Sequence, residues 1–448
     1  MKIFNLIRLS FFLMSFGIML GFVTDALSRV MIKELMIPST IVLGLISLKE
    51  LLAIFGVKVW AGNVSERVSL FGLRRTPYIF LGLLSCVFAF VFAPAAAYEV
   101  KIAELSFSDM LPALLTDIGL WKLCVIFLMF GFGVQVATTT YYALLVDTVG
   151  EKNIGKFIGV SWPLMVLTSI FSAGFVGHYL KVYTPERLVA AAEVCGVISI
   201  VIGLISLLGV EKRHAEIKEG KGTHAITFSQ SVMLLSSSPK TLMFAVYIFI
   251  SIFAIFASFT LMGTFGADVF GMPVGITTNL FRQYIGVPQL VCMLIAGFLM
   301  NRIGKKRGAF LGNTIGIIGF MMLIAAGFMR DEQLLHVSLV VIGTGFGIAS
   351  VSNISMMMTM TSGQTGIYLG LWGTAESLAL LCSDFGSGII RDLVYHFSGQ
   401  YIWAYTAIFT LQIIAFATSS LLLPAISKKE FEAESEAKMA ELALASKG

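Results

Sequence analysis

Lys49 and Glu50 sit in the middle of an apolar run, residues 38–60. Arg282 lies in another, 274–300, and Glu376 and Asp384 share a third, 366–390. A charge placed in hydrocarbon costs at least about 2.5–3.5 kcal/mol, so such groups are retained for pairing, ligand contact or ion passage. Lys49 and Arg282 follow prolines, Pro38 and Pro273, at nearly the same distance. One cation from each half of the chain, facing a central cavity, suits an anionic or carbonyl-rich ligand. Adjacent residues on a helix point about 100° apart, so Glu50 is not expected to neutralise Lys49. Glu376 is the expected partner of Lys49 or Arg282, with Asp384 about 80° around the same helix. Ligand contact and structural ion pairing stand as alternatives for Lys49, Arg282 and Glu376. Asp25 and Arg29, at i and i+4, make a further pair at the outer end of the first run, as a clamp or as a ligand site. Lys58, near the inner end of its run, is expected to snorkel to the membrane surface.

Other chemistries find no support. No nucleophile stands beside a base, no glycine loop is set for phosphate, and no His pair has metal spacing, so neither an enzyme nor a metal site is expected. The five cysteines all fall in apolar blocks without a CxxC pair. They read as small buried fillers.

The elements that hold the charges are set by composition. The chain has 448 residues, 57% hydrophobic and 13% charged, against about 25% charged in soluble domains. Mean hydropathy is +0.90, and the apolar residues come in blocks of about 20, the length of a membrane-crossing helix. Lipid offers the backbone no hydrogen bonds, so unbroken blocks must be helices. Twelve spans are expected: six within residues 1–210, a cytoplasmic linker at 211–240, six within 241–425, and a charged cytoplasmic tail at 426–448. Leu9–Val23 reads as an uncleaved first span rather than a signal peptide. Roughly two-thirds of the Lys and Arg residues fall on the side of the N-terminus, which places both termini in the cytoplasm. The net charge of +5 therefore reports loop retention at the inner face and not a nucleic-acid partner. The bilayer is the first partner.

Two short basic knots punctuate the runs. One reads Gly297-x-x-x-Asn301-Arg302-x-Gly304, and the other Gly62-x-x-x-Glu66-Arg67 with Arg74 and Arg75 following. They lie half a chain apart, each after a span that opens with proline, which marks an internal repeat. The pattern resembles the signature loop of the major facilitator superfamily, G-x-x-x-D-R-x-G-R/K-R/K. The resemblance implies an all-α fold of two six-helix bundles. It also implies a cytoplasmic latch, with Glu66 meeting the span start near Gly366 and Asn301 the one near Gly155. Glu and Asn replace the family Asp, so the second latch carries no charge. Asp147 is expected to pair with Arg74 or Arg75. The glycines are expected to allow close helix approach, as are the GxxxG pairs Gly155/Gly159 and Gly366/Gly370.

A narrower resemblance rests on Gly366, Tyr368, Gly370, Leu371, Trp372 and Gly373. They match the G-x-Y-x-G-L-W-G motif of the PucC/LhaA family, the bacteriochlorophyll-delivery branch of that superfamily. RVMIKELMIP at 29–38, GLRRTPYI at 72–79 and YYALLVD at 141–147 resemble the same family. Ser28 and Glu376 depart from it, where Asn and an amide are expected. Membership implies a carrier-like inner-membrane protein of a photosynthetic bacterium, handing over (bacterio)chlorophyll or a precursor during assembly of pigment complexes. The pigment would be a bound ligand with no covalent cofactor. Two other functions stand beside it: a non-transporting assembly factor for light-harvesting or reaction-centre polypeptides, and a facilitator for an unrelated amphiphile. His178, His336 and His396 near outer span ends, and the run Met356–Met360, are lesser pigment contacts, with interface positions and helix packing as their plain explanations.

Overall fold

A computed structural model describes residues 3–100, 112, 115–149, 151–211, 239–360, 365–431, 433 and 434. Most of the 211–240 linker and of the tail beyond 426 lies outside the described residues. The helices follow the apolar blocks: α1 Ile3–Gly21, α2 Ser39–Ile54, α3 Val57–Arg67, α4 Thr76–Ala97, α5 Ile118–Val149, α6 Glu151–Tyr179 and α7 Pro185–Leu207. In the second half come α8 Pro239–Phe256, α9 Met262–Phe270, α10 Val274–Ile303, α11 Lys305–Met329, α12 Glu332–Thr359, α13 Thr365–Ser398 and α14 Tyr401–Leu422. Local signals set several ends. Asp331 caps α12 by accepting from the amides of Gln333 and Leu334 at 2.8 and 3.1 Å, and Thr184 with Pro185 starts α7. Gly304 joins α10 to α11 at φ +88°, a conformation open to glycine.

Among the described residues, ten helical stretches are long and apolar enough to cross a membrane, or eleven if the bent pair α2–α3 is one span. The 34-residue α13, which carries Glu376, Asp384, Arg391 and Asp392, is not in that set. Length and composition thus account for ten or eleven of the twelve spans expected, and they pass over α13, a helix that carries its charges inward.

Three spans are broken. The first turns from α-helix into π-helical stretches at Phe22–Leu27 and Val30–Glu34. The second bends by 52° at Gly56, φ +91°. The third break separates α8 from α9 through a 3-10 turn at Phe259–Leu261. α1 packs on α6 and α7, and α4 on α5; α10 and α11 pack on α12, and α8 on α13. Two broad contacts join the halves, α2 with α13 and α6 with α10.

These contacts are concentrated at the end where the first span finishes, called here the far end. A Cβ added to Gly388 would lie 2.7 Å from the Ser39 carbonyl, and one on Gly177 the same distance from that of Gly275. Toward the near end, Cβ atoms on Gly297, Gly370 or Gly373 would meet nothing within 4 Å. Among the described residues, the close backbone approaches between the halves thus lie at the far end. The close approach expected at Gly297 and Gly370 is absent in this arrangement, and the space around Gly62 holds only Thr139 of its own half, at 3.9 Å.

Candidate functional site

The π-helical turn of the first span, the 3-10 break before α9 and the middle of α10 converge on a small pocket of about 20 Å³. Asp25, Phe259, Arg282 and Gln289 are among its walls. Arg282 grips Asp25 with two parallel bonds, Nε to Oδ2 and Nη2 to Oδ1, both 2.7 Å. Nη2 also donates to Thr24 Oγ1 at 3.2 Å, and the guanidinium lies 4.7 Å from the centre of the Phe259 ring. Such a planar fork over an aromatic face is a fixed recognition geometry.

The expected Asp25–Arg29 pair is not formed. Both oxygens of Asp25 are taken by Arg282, which leaves Arg29 to other partners. Arg29 instead bonds Glu34 at 2.5 Å and the carbonyl of Met272, across the halves, at 3.2 Å.

A second polar cluster lies between α2 and α13. Lys49 Nζ stands 3.2 Å from Glu50 and 3.9 Å from Asp384, which accepts from Thr260 Oγ1 at 2.8 Å. The expectation that Glu50 would not reach Lys49 is overturned. Helical angle describes where Cβ points, and four methylenes let the ammonium swing back across its neighbour. Glu376 pairs with neither Lys49 nor Arg282, since each is already held by a carboxylate. The cation acting on Glu376 is Lys58, whose Nζ donates across the halves to Ser377 at 3.2 Å. Lys58 is thus turned into the protein rather than out to the surface, a consequence of the bend at Gly56.

The far end carries a network that hydropathy assigned to loops. Asp268 receives Lys33 at 2.8 Å, Arg391 at 2.7 Å and the Tyr405 hydroxyl at 2.7 Å. Asp392 accepts from the amide of Thr40 at 2.7 Å and from the hydroxyls of Thr40 and Ser39 at 2.8 and 2.5 Å. It therefore caps α2 from the opposite half. This is the capping that a helix entered through Pro38 cannot supply itself. Arg29, Lys33, Glu34, Asp268, Arg391 and Asp392 balance in charge, three against three, and bridge both halves.

At the near end, the contact expected between Glu66 and the start of α13 near Gly366 falls on residues whose surroundings lie outside what is described. The Glu66 carboxylate accepts from Arg75 at 3.0 Å, and Arg75 also stands 3.5 Å from Asp147. Arg75 donates to Ser65 Oγ at 2.7 Å as well, so the first knot is cross-braced within its own half. The surroundings of Asn301, Gly366 and Gly155 lie outside what is described; Arg67 and Arg302 are exposed. Glu211, unmarked in the sequence, accepts from the amides of Arg74, Arg75 and Thr76 at 2.7, 3.0 and 2.8 Å. Burial raises the Glu211 carboxyl, but those amides outweigh it and hold it below the ordinary value of 4.5.

Leu371 and Trp372 of the span motif are fully buried and Tyr368 nearly so. Trp372 donates to the Met360 carbonyl at 3.0 Å. His178 and His396 are exposed, and His336 stacks on Tyr284 with ring centres 4.6 Å apart. Among the described residues no group of three His, Cys, Asp or Glu could hold a metal.

Helices in two halves, with broken spans lining a pocket between them, make a fold of the major-facilitator type. The arrangement is that of the nucleoside transporter NupG, with a TM-score of 0.66 over 95% of this chain and 98% of that one at 12% identity. Within that class the chain belongs to the PUCC protein family, whose profile matches residues 26–431. It is 27% identical over 428 residues to Protein PucC of Cereibacter sphaeroides, covering 94% of this chain and 91% of that one. A protein of Rhodobacter capsulatus named bacteriochlorophyll synthase 44.5 kDa chain is 26% identical over 385 residues, covering 84% of each.

Proposed function

We propose that the protein is a carrier-like factor that receives (bacterio)chlorophyll or a precursor between its halves and hands it to pigment complexes under assembly. In this reading it sits in the inner membrane of a photosynthetic bacterium with both termini cytoplasmic. It catalyses no covalent step, and the pigment is ligand rather than resident cofactor. The observation that carries the reading is the Arg282–Asp25 fork over Phe259 in a small pocket where two broken spans meet α10. Half-helix ends at a midplane site are how secondary carriers bind their cargo. A planar macrocycle with peripheral carbonyls matches a flat guanidinium, an aromatic ring and the amide of Gln289. Family membership supports the same assignment.

A second reading is favoured by one fact. Lys49 and Arg282, the expected ligand cations, are both occupied by carboxylates. Pairs that tie helices together suit a non-transporting scaffold for antenna or reaction-centre polypeptides. Purification in mild detergent followed by an absorption spectrum separates the two. A pigment band in stoichiometric amount supports the carrier; antenna polypeptides without pigment on this chain support the scaffold.

A further inference from the structure

The span motif has a partner that its sequence does not announce. Phe431, in the segment that follows the last span, has no exposed surface. Its ring stands edge-on to Tyr368, centres 5.1 Å apart, and tilted against Trp372 at 6.1 Å. Phe244 of α8 closes the nest, T-shaped to Trp372 at 4.8 Å. Two acids fix the segment to the start of α8. Glu430 pairs with Lys240, and Glu434 accepts from the Lys240 amide at 3.1 Å. A carboxylate at the first turn of an 18-residue helix is favourably placed for its dipole. The motif's own indole is meanwhile committed to the carbonyl of Met360 at the end of α12. Trp372 thus joins α13 to α8 and α12 at the near end, and Phe431 packs against it.

We propose that residues 427–431, with Glu434, form a clasp that makes the near end of the second half one rigid unit, and that Tyr368 and Trp372 are its seat rather than pigment contacts. They are then positioning residues, keeping α13 in step with α8 and α12 while the halves separate. The charged residues on the clasp orient it, and Phe431 holds it. This explains why large aromatic rings stand among glycines there: Gly370 and Gly373 leave the opposite face of α13 bare.

The test uses the full chain with its five native cysteines replaced and Met360→Cys introduced under the clasp, where the native side chain is 4% exposed. Maleimide labelling in detergent reads how often the seat opens. Phe431→Ala should speed labelling on the order of a hundredfold, and deletion from Ser427 onward should do the same. Phe431→Leu should stay near wild type. A second probe, Ser338→Cys on α12, must stay unlabelled, since Ser338 is wholly buried. If Phe431→Ala exposes that probe too, the same comparison is made with Glu430→Gln/Glu434→Gln, which should still speed labelling at 360. An unchanged rate at 360 in these variants overturns the clasp. No pigment is involved, so the outcome is independent of the ligand assignment.

Discussion

Asp392→Asn should unlock the far end. In the wild type this carboxylate accepts four hydrogen bonds, from Thr40 twice, Ser39 and Arg391. An amide keeps one acceptor oxygen and turns an NH2 group toward donors, so the bond from the Thr40 amide or the one from Arg391 is lost outright. Hydrogen bonds to a charged group contribute about 1.5–3 kcal/mol each. The anion at the α2 N-terminus adds about 0.3–1 kcal/mol, up to about 2 when partly buried. Arg391 keeps Asp268 and is not orphaned. The expected weakening is therefore about 2–4 kcal/mol, or roughly 30- to 1000-fold in the ratio of locked to unlocked protein. Spin labels at Met36 and Phe397, both exposed at this end, report the separation by pulsed dipolar spectroscopy. Wild type should give one short distance, and Asp392→Asn a second, longer population. Asp392→Ala should enlarge it further. Identical distributions in all three proteins would show that the cap does not couple the halves.

Three further outcomes follow from the same geometry. Lys49→Met leaves Glu50 and Asp384 facing each other, and breaking a buried pair costs about 3–5 kcal/mol; thermal unfolding should show that loss, with part recovered in Lys49→Met/Asp384→Asn. Glu211 is held below 4.5, so its cap is intact above that pH and is lost as pH falls through the folded value. The protection of the Arg74, Arg75 and Thr76 amides, taken against the intrinsic exchange rate at each pH, should therefore fall on acidification, and Glu211→Gln should show low protection at neutral pH already. Lys58→Met should alter labelling of a cysteine at Ser377 without touching the far-end distance, because Lys58 bridges the halves at mid-depth.

The fold was legible because its causes are local. Apolar length, the paired prolines Pro38 and Pro273, and the glycine at 304 each act through the chain nearby. The site was only partly legible. Asp25, Arg282, Lys49 and Asp384 were recognisable as misplaced charges, but their partners lie across the two halves, and no spacing rule connects residues 25 and 282. Helical wheels failed at Asp25 and Arg29, where each finds a stronger partner elsewhere, and at Lys49, where the side chain is long. Asp268, Arg391 and Asp392 were invisible for another reason. At a span end a charge reads as solvated, and only packing shows that the Asp268 and Arg391 side chains are buried against each other. Phe431 lay in a charged tail, where an isolated aromatic carries no pattern.

The central claim is that the pocket at Arg282 and Asp25 holds pigment. The most direct measurement is the pigment-to-protein ratio, read by absorbance, of protein purified in mild detergent from pigment-producing cells. It compares wild type with Asp25→Asn/Arg282→Gln, a double variant that removes both charges and leaves neither stranded. The account predicts a stoichiometric pigment band on wild type and its loss from a variant that remains folded. Equal pigment on both, or none on wild type, would contradict it.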